Sequence, residues 1–325
     1  VKENYVTIWR LGGAKEEERV ASVHHIQEGL ALSFREFFLG NQTLLLDGAT
    51  GTQLMERGLK SGECPEKWNV EAPHKVKDIA QCYFQAGSDA VLTNTFGGSK
   101  LKLQNYGLDP RTYELNLQGC RNAIEAKPAG KFVIGSIGPS GKFMPPLGSI
   151  TEKEMICAFV LQVKAMSDAG VDAILIETFA DLSEMRCAIR AVKDNADLPF
   201  ICSLTYDKTP KGYRTMMGIS IREAVDTLLK DGAFVVGSNC GHGLLNMIEI
   251  LREYRSISKR IKIIGKPNAG IPKYENGRTS YTEGANYFEQ HIDDCLALKP
   301  SIIGGCCGTG PDHIKVMREA IDKRR

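Results

Sequence analysis

Two adjacent cysteines, Cys306 and Cys307, stand among glycines in IIGGCCGTGPDH (302–313), and a third, Cys240, closes the stretch FVVGSNC (234–240). A core accepts one buried thiol as a small apolar group. Two in a row with no bulk around them suggest sulfurs wanted for chemistry. Three thiolates that meet at one point suit a zinc ion, which takes sulfur at ~2.3 Å in tetrahedral geometry and keeps one position open in catalytic sites. Spacing alone leaves buried thiols and a redox pair open, because a long gap followed by a Cys pair is not a local zinc-finger pattern. Adjacent residues on a strand point to opposite faces, so Cys306 and Cys307 share an ion only where the backbone turns sharply. Gly304, Gly305 and Gly308 make such a turn accessible.

An open position on a three-cysteine zinc site binds and activates a fourth thiol. A free thiol is mostly protonated at neutral pH, and coordination deprotonates it while keeping it reactive. The reaction expected of such a site is attack by a substrate thiolate on an electrophilic carbon. The metal has already released the proton, so no general base is required.

The elements that must bring these sulfurs together repeat eight times. Short apolar runs occupy 43–49, 89–96, 131–140, 172–181, 199–206, 234–240, 261–270 and 301–308, each followed by a turn and an amphipathic stretch. Near-continuous apolarity marks strands covered on both faces. Thr151 precedes Glu154 as a capping box, and that helix stops at Gly170. Ser220 to Gly232 repeats the pattern, 286–300 ends at Pro300, and 311–325 forms the last helix. Alternation of this kind over roughly 280 residues predicts an α/β fold of the closed (β/α)8 TIM-barrel type. No G-x-G-x-x-G follows the first strand, which argues against a doubly wound sheet.

In such a barrel the site sits at the C-terminal ends of the strands. Asp47, Gly48 and Ala49 stand there on strand one, Thr93 and Asn94 on strand two, and Gly138 and Ser140 on strand three. Glu177 ends strand four, Asn239 and Cys240 strand six, Asn268 strand seven, and Cys306 and Cys307 strand eight. All three thiols therefore fall at one rim, which raises zinc above its rivals.

Composition sets the bounds. A hydrophobic content of 42% and a charged content of 25% are those of a globular chain with a sizeable core. A net charge of +2, a pI near 8.0 and scattered basic residues give no case for nucleic acid or an anionic membrane. The ten cysteines are not spaced as a disulfide framework. Cys82, Cys120, Cys157, Cys187 and Cys295 read as buried thiols on helices, and the expected compartment is reducing and cytoplasmic. No run approaches the ~20 apolar residues of a membrane span. Residues 1–40 read as an N-terminal extension, helical over much of 16–38, with His24 and His25 solvated; residues 41–325 are the barrel domain. The start lacks a signal-peptide pattern and a Met, which suggests a trimmed chain or one carrying added foreign residues.

With these residues in place the chain resembles the homocysteine S-methyltransferase family. GSNC ending at Cys240, PNAG at 267–270 and GGCCGT at 304–309 match its zinc- and substrate-binding blocks in order, and LLLDGATGTQL (44–54), TNTF (93–96), GSIGPSG (135–141) and IETFAD (176–181) match its earlier strand ends. Ala49 and Thr309 favour the branch containing the homocysteine module of cobalamin-dependent methionine synthase over the S-methylmethionine- and betaine-using branches. GHGLLNM after Cys240 and Gly310 depart from that branch.

The resemblance implies zinc ligands at Cys240, Cys306 and Cys307, homocysteine as the acceptor, methionine as the product, and methylcobalamin or another corrinoid, carried on a separate domain or protein, as the methyl donor. It places Asp47 with Gly48 and Ala49 at the amino-acid head group, Glu177 at the substrate ammonium and Asn268 beside the open metal position; Asn94 and Ser140 are further substrate candidates. Each has a structural alternative: a loop hydrogen bond for Asp47, a salt bridge for Glu177, a turn for Asn268. His242 reads as a loop residue or an alternative ligand. The chain ends just past the eighth helix, so the expectation is an excised module or a standalone enzyme that meets a corrinoid protein. A wide mouth is expected for so large a donor. The competing readings are a small-molecule methyl donor, a corrinoid-dependent methyltransferase acting on another substrate, and a non-catalytic zinc-binding or redox-sensing barrel.

Overall fold

The computed structural model describes residues 32–40, 42–275 and 278–324. Eight parallel strands form one sheet: β1 Leu44–Leu45, β2 Ala90–Leu92, β3 Phe132–Ile137, β4 Ala173–Phe179, β5 Phe200–Leu204, β6 Val235–Asn239, β7 Ile263–Lys266 and β8 Ile302–Ile303. Their order is β1-β8-β7-β6-β5-β4-β3-β2. The seam between β1 and β2 is closed largely by carboxylates. The Asp89 N–H donates to the Leu45 carbonyl at 2.7 Å, while Leu45 N–H donates to Asp89 Oδ2 at 3.0 Å and Leu92 N–H to Asp47 Oδ2 at 2.7 Å. The result is the expected (β/α)8 barrel.

Among the described residues, eight helices of ten or more residues cover it: α1 Pro73–Gln85, α2 Thr112–Ala126, α3 Glu152–Ala169, α4 Leu182–Asn195, α5 Ile221–Lys230, α6 Leu244–Ile257, α7 Ala285–Ala297 and α8 Pro311–Asp322. The Thr151–Glu154 capping box starts α3, and Gly170, at φ 82°, stops it. Ser220 accepts from the Glu223 N–H at the start of α5. Two short hairpins, Asp207–Thr209 with Gly212–Arg214 and Lys273–Glu275 with Arg278–Ser280, rise from the loops after β5 and β7.

Strand residues alternate between two cores. Leu44, Ala90, Phe132, Ile134, Ala173, Leu175, Ile201, Val235, Ile264 and Ile302 fill the barrel interior, and their neighbours Leu45, Val91, Val133, Ile174, Cys202, Val236, Ile263 and Ile303 pack under the helices. The interior is closed at its N-terminal end by the short helix Phe34–Phe37. The Phe34 ring meets Phe132 edge-on at 5.5 Å, and Phe38 meets Phe234 at 5.5 Å. The compact unit therefore begins at Phe34; the rest of the helical reading over 16–38, with His24 and His25, lies outside the described residues. Continued upward at period two, the inward positions turn polar: Ser136, Glu177, Ser203, Asn239 and Lys266 follow the apolar residues on β3 to β7. That layer lies under the mouth.

Candidate metal centre and thiol site

The three sulfurs come together as expected. Sγ atoms of Cys240, Cys306 and Cys307 all lie within 4.8 Å of one another, and Cys240 and Cys307 are 4.0 Å apart. Tetrahedral zinc with sulfur at ~2.3 Å holds its ligand sulfurs about 3.8 Å apart, whereas a disulfide needs ~2.05 Å. The donor set therefore has the spacing that a tetrahedral zinc ion takes, with no disulfide between its sulfurs. All ten cysteines are free.

Backbone geometry aims these sulfurs. Cys240 takes the left-handed conformation, φ 64°, which non-glycine residues rarely adopt. Its N–H donates to the Lys266 carbonyl at 3.0 Å, and Cys306 N–H donates to the Pro267 carbonyl at 2.7 Å, so strand ends six, seven and eight are tied together. After the pair, the turn is made by Gly308 at φ 82°. Gly305 is needed for a different reason: it keeps φ out of the left-handed region, but a Cβ there would overlap Thr309. The glycines thus divide the work between turning and close approach.

Among the thiols, Cys240 is held down, to about 3, by hydrogen bonds from Cys306 and Cys307. Those bonds and its negative charge push the other two up, Cys306 to about 11. The arrangement thus favours one thiolate, at Cys240, held by two neighbouring thiols.

Directly beneath lies a buried charged cluster. Lys266 Nζ meets Glu177 Oε2 at 2.8 Å, and Ser136 Oγ donates to Glu177 Oε1 at 2.7 Å. Burial disfavours the Lys266 ammonium, but Glu177, Cys306 and Asp47 outweigh this and hold it above its ordinary value. Asp47 is only 1% exposed. Burial pushes its carboxyl up to about 7, against the opposing pull of Lys266. Its Oδ2 takes the Leu92 N–H, while its Oδ1 has no partner among the described residues. Asn268 Oδ1 is likewise buried without a partner, its Nδ2 donating to the Gly241 carbonyl at 3.1 Å.

Residues 44–321 match the homocysteine S-methyltransferase family. The chain belongs to that family. Its membership makes the chain a methyltransferase. The methionine synthase of Mycobacterium leprae is 30% identical over 303 residues, 87% of this chain and 24% of that protein. The methionine synthase of Mycobacterium tuberculosis is 31% identical over 303 residues, 87% of this chain and 25% of that protein. The chain spans about a quarter of the length of these relatives. The metallated form of the homocysteine methyltransferase MmuM from Escherichia coli superposes with a TM-score of 0.73 at 22% identity, over 88% of this chain and 98% of that one. That likeness speaks for the barrel.

Within this methyltransferase the other expected residues divide. Gly48 and Ala49 stay beside Asp47 at the mouth, where Ala49 N–H donates to the Thr309 carbonyl at 2.9 Å. Asn94 is bound into the second loop, its Nδ2 donating to Pro65 O and Asn69 Oδ1, both at 2.9 Å. Ser140 Oγ donates to Glu184 Oε1 at 2.6 Å. None of these bonds links Asn94 or Ser140 to the sulfurs, Asp47 or Glu177. His242 Nε2 lies 3.0 Å from Asp207 Oδ1 on the first hairpin, which makes it a loop residue. Of the helix cysteines, Cys120, Cys187 and Cys295 are buried, but Cys157 is exposed and Cys82 half-buried, because both lie toward the outer faces of their helices.

Three residues were not foreseen. Lys266 and Ser136 belong to the inward polar layer, which the two-residue period could have disclosed. Tyr281, beyond the second hairpin, lays its ring against Gly308; burial and the nearby thiols push its hydroxyl up to about 12.

Proposed function

We propose that this methyltransferase is zinc-dependent and uses Cys240, Cys306 and Cys307 as its metal ligands. In this reading its acceptor is homocysteine, its product methionine, and its donor a methylcorrinoid carried on another domain or protein. The observation that carries the reading is the triad of sulfurs at near-tetrahedral spacing above a buried cluster with an unpartnered carboxylate oxygen. When bound, the ion supplies the positive charge that keeps a thiol acceptor deprotonated at neutral pH.

The chain's own residues then do the rest. Asp47 Oδ1 offers an acceptor to the substrate ammonium, with Gly48 and Ala49 lining the same pocket. Glu177 adds negative charge and Lys266 balances it, so that an amino-acid zwitterion enters a site of both signs. Asn268 Oδ1 orients the substrate from the seventh loop. Asn94 and Ser140 have a weaker claim to contact substrate, since Asn94 Nδ2 and the Ser140 hydroxyl already have partners.

The donor is read from the rim. Phe143, Leu147, Met216, Ile271 and Tyr274, on the loops after β3, β5 and β7, are between 46% and 76% exposed. Exposed apolar groups gathered on one face suit a macromolecular partner better than a small soluble donor. Ten free thiols suit a reducing, cytoplasmic setting, and no described helix is long and apolar enough to cross a membrane.

The test is homocysteine-dependent loss of the methylcobalamin visible band, with zinc assayed on the same sample. Demethylation that requires both zinc and homocysteine, and that vanishes in Cys306→Ala together with the metal, is the expected result. Zinc retained in both Cys306→Ala and Cys307→Ala would overturn the ligand assignment. Methyl transfer from S-methylmethionine or betaine without any corrinoid would overturn the donor.

A further inference from the structure

We propose that Asn239 is a positioning residue that keeps the Cys306 sulfur from competing with the substrate sulfur for the methyl group. The inference rests on the reading of the three cysteines as zinc ligands. Around such an ion the acceptor is one anionic sulfur among four, and something must favour it over the protein's own.

Asn239 is fully buried at the end of β6, directly before Cys240. Its Oδ1 accepts from the Thr178 N–H at 2.9 Å and from Ser203 Oγ at 2.6 Å. Its Nδ2 donates to Thr178 Oγ1 at 2.7 Å and to Cys306 Sγ at 3.6 Å. The orientation is forced: turned over, the amide would set its NH2 against the Thr178 N–H, donor against donor. The N–H on Cys306 is therefore held by three bonds elsewhere on the same amide.

A hydrogen bond to a thiolate draws on the lone pair that would otherwise attack an alkyl donor. Cys306 receives this bond, whereas Cys307 receives no N–H donor among the described residues. A methylated Cys306 would be a neutral thioether and no longer an anionic ligand, so protecting it protects the metal site.

The test uses the zinc-loaded protein with isotopically labelled iodomethane and no acceptor thiol, read by peptide mass spectrometry. In the step measured, a cysteine lone pair forms the S–CH3 bond while the C–I bond breaks and iodide leaves with the bonding pair. In the unaltered protein Cys306 should be methylated several-fold more slowly than Cys307. Asn239→Asp keeps the acceptor side of the side chain and loses the donor; it should raise the Cys306 rate about tenfold, the worth of one hydrogen bond to a charged group. Ser203→Ala removes a bond from the other end of the amide and should leave the Cys306 rate unchanged. Equal rates at Cys306 and Cys307 in the unaltered protein would overturn the proposal. So would an equal rise in both variants, or no rise in Asn239→Asp. If Asn239→Asp does not fold, the order of rates in the unaltered protein still decides. A sample that takes up no zinc overturns the metal reading itself, and the metal assay tells that failure apart.

Discussion

Replacing Asp47 by Asn removes a charge while keeping the shape of the side chain, and its effect differs with pH. Burial raises the Asp47 carboxyl from 3.8 to about 7. At about 1.4 kcal/mol per pH unit, that gap makes the ionised form cost the fold about 4 kcal/mol. The sign follows from proton binding: between the unfolded and folded values the native state holds a proton that the unfolded state has released, so this contribution to stability falls as pH rises. It is full below pH 3.8 and gone above about 7. From pH 5.5 to 7.5 the loss is about 2 kcal/mol. Asn carries no such slope. Its oxygen can keep the Leu92 N–H, and its NH2 takes the place of the unpartnered Oδ1.

Urea denaturation of both proteins at pH 5.5 and 7.5 checks this, because contributions that the two share cancel in the difference. The advantage of Asp47→Asn should grow by about 2 kcal/mol over that interval. Binding should move the other way. Without the charge-assisted hydrogen bond, worth ~1.5–3 kcal/mol, homocysteine should bind about 10- to 100-fold more weakly by calorimetry. A stability difference independent of pH would refute the burial argument. An unchanged affinity would refute the head-group role.

Two further perturbations test the layer below the sulfurs and the turn beside them. Lys266→Met strands the buried Glu177 carboxylate with Ser136 alone, which should cost about 3–5 kcal/mol by denaturation; adding Glu177→Gln should recover most of it, and failure to recover would deny the pairing. Gly308→Ala puts a side chain at φ 82° and against the Tyr281 ring. The backbone cost alone is ~1–2 kcal/mol, and the turn that presents Cys306 and Cys307 should shift, so chelator competition should show weaker zinc binding with an unchanged circular-dichroism spectrum. Unaltered zinc affinity would mean that the turn does not set the ligand geometry.

The barrel was legible because its strands are apolar on both faces and its helices carry their own start and stop signals, as Thr151 and Ser220 show for the starts and Gly170 for a stop. The sulfurs were legible because all three fall at strand ends, and the barrel puts strand ends together. Lys266 was not, although it stands next to PNAG: a lysine in a strand reads as solvated until the inward register is fixed through Ile264. Asn94 and Ser140 show the converse limit. The strand-end rule places them on the correct face of the barrel, but their hydrogen bonds run to Asn69, Pro65 and Glu184, which no local pattern discloses. Tyr281 reaches Gly308 only because the loop after β7 folds back over the eighth strand end.

The strain in the site has one address. Two of the three described non-glycine residues with positive φ are Thr178 at 66° and Cys240 at 64°, and both adjoin Asn239. Thr178 is β-branched, so its conformation is especially unfavourable; such residues cost of order 1–3 kcal/mol and persist where their surroundings over-determine them. Asn239 provides that determination by bonding both the N–H and the hydroxyl of Thr178. Thr178 follows Glu177, and Cys240 follows Asn239 itself. One buried amide thus helps fix the carboxylate of the charged cluster, the backbone that aims one sulfur, and the hydrogen bond to another. On the proposed reading the site holds an amino acid by its ammonium at one end and its sulfur at the other, and needs those ends at a constant separation. The strain at Thr178 and Cys240 is the expected cost of holding that separation from a single point.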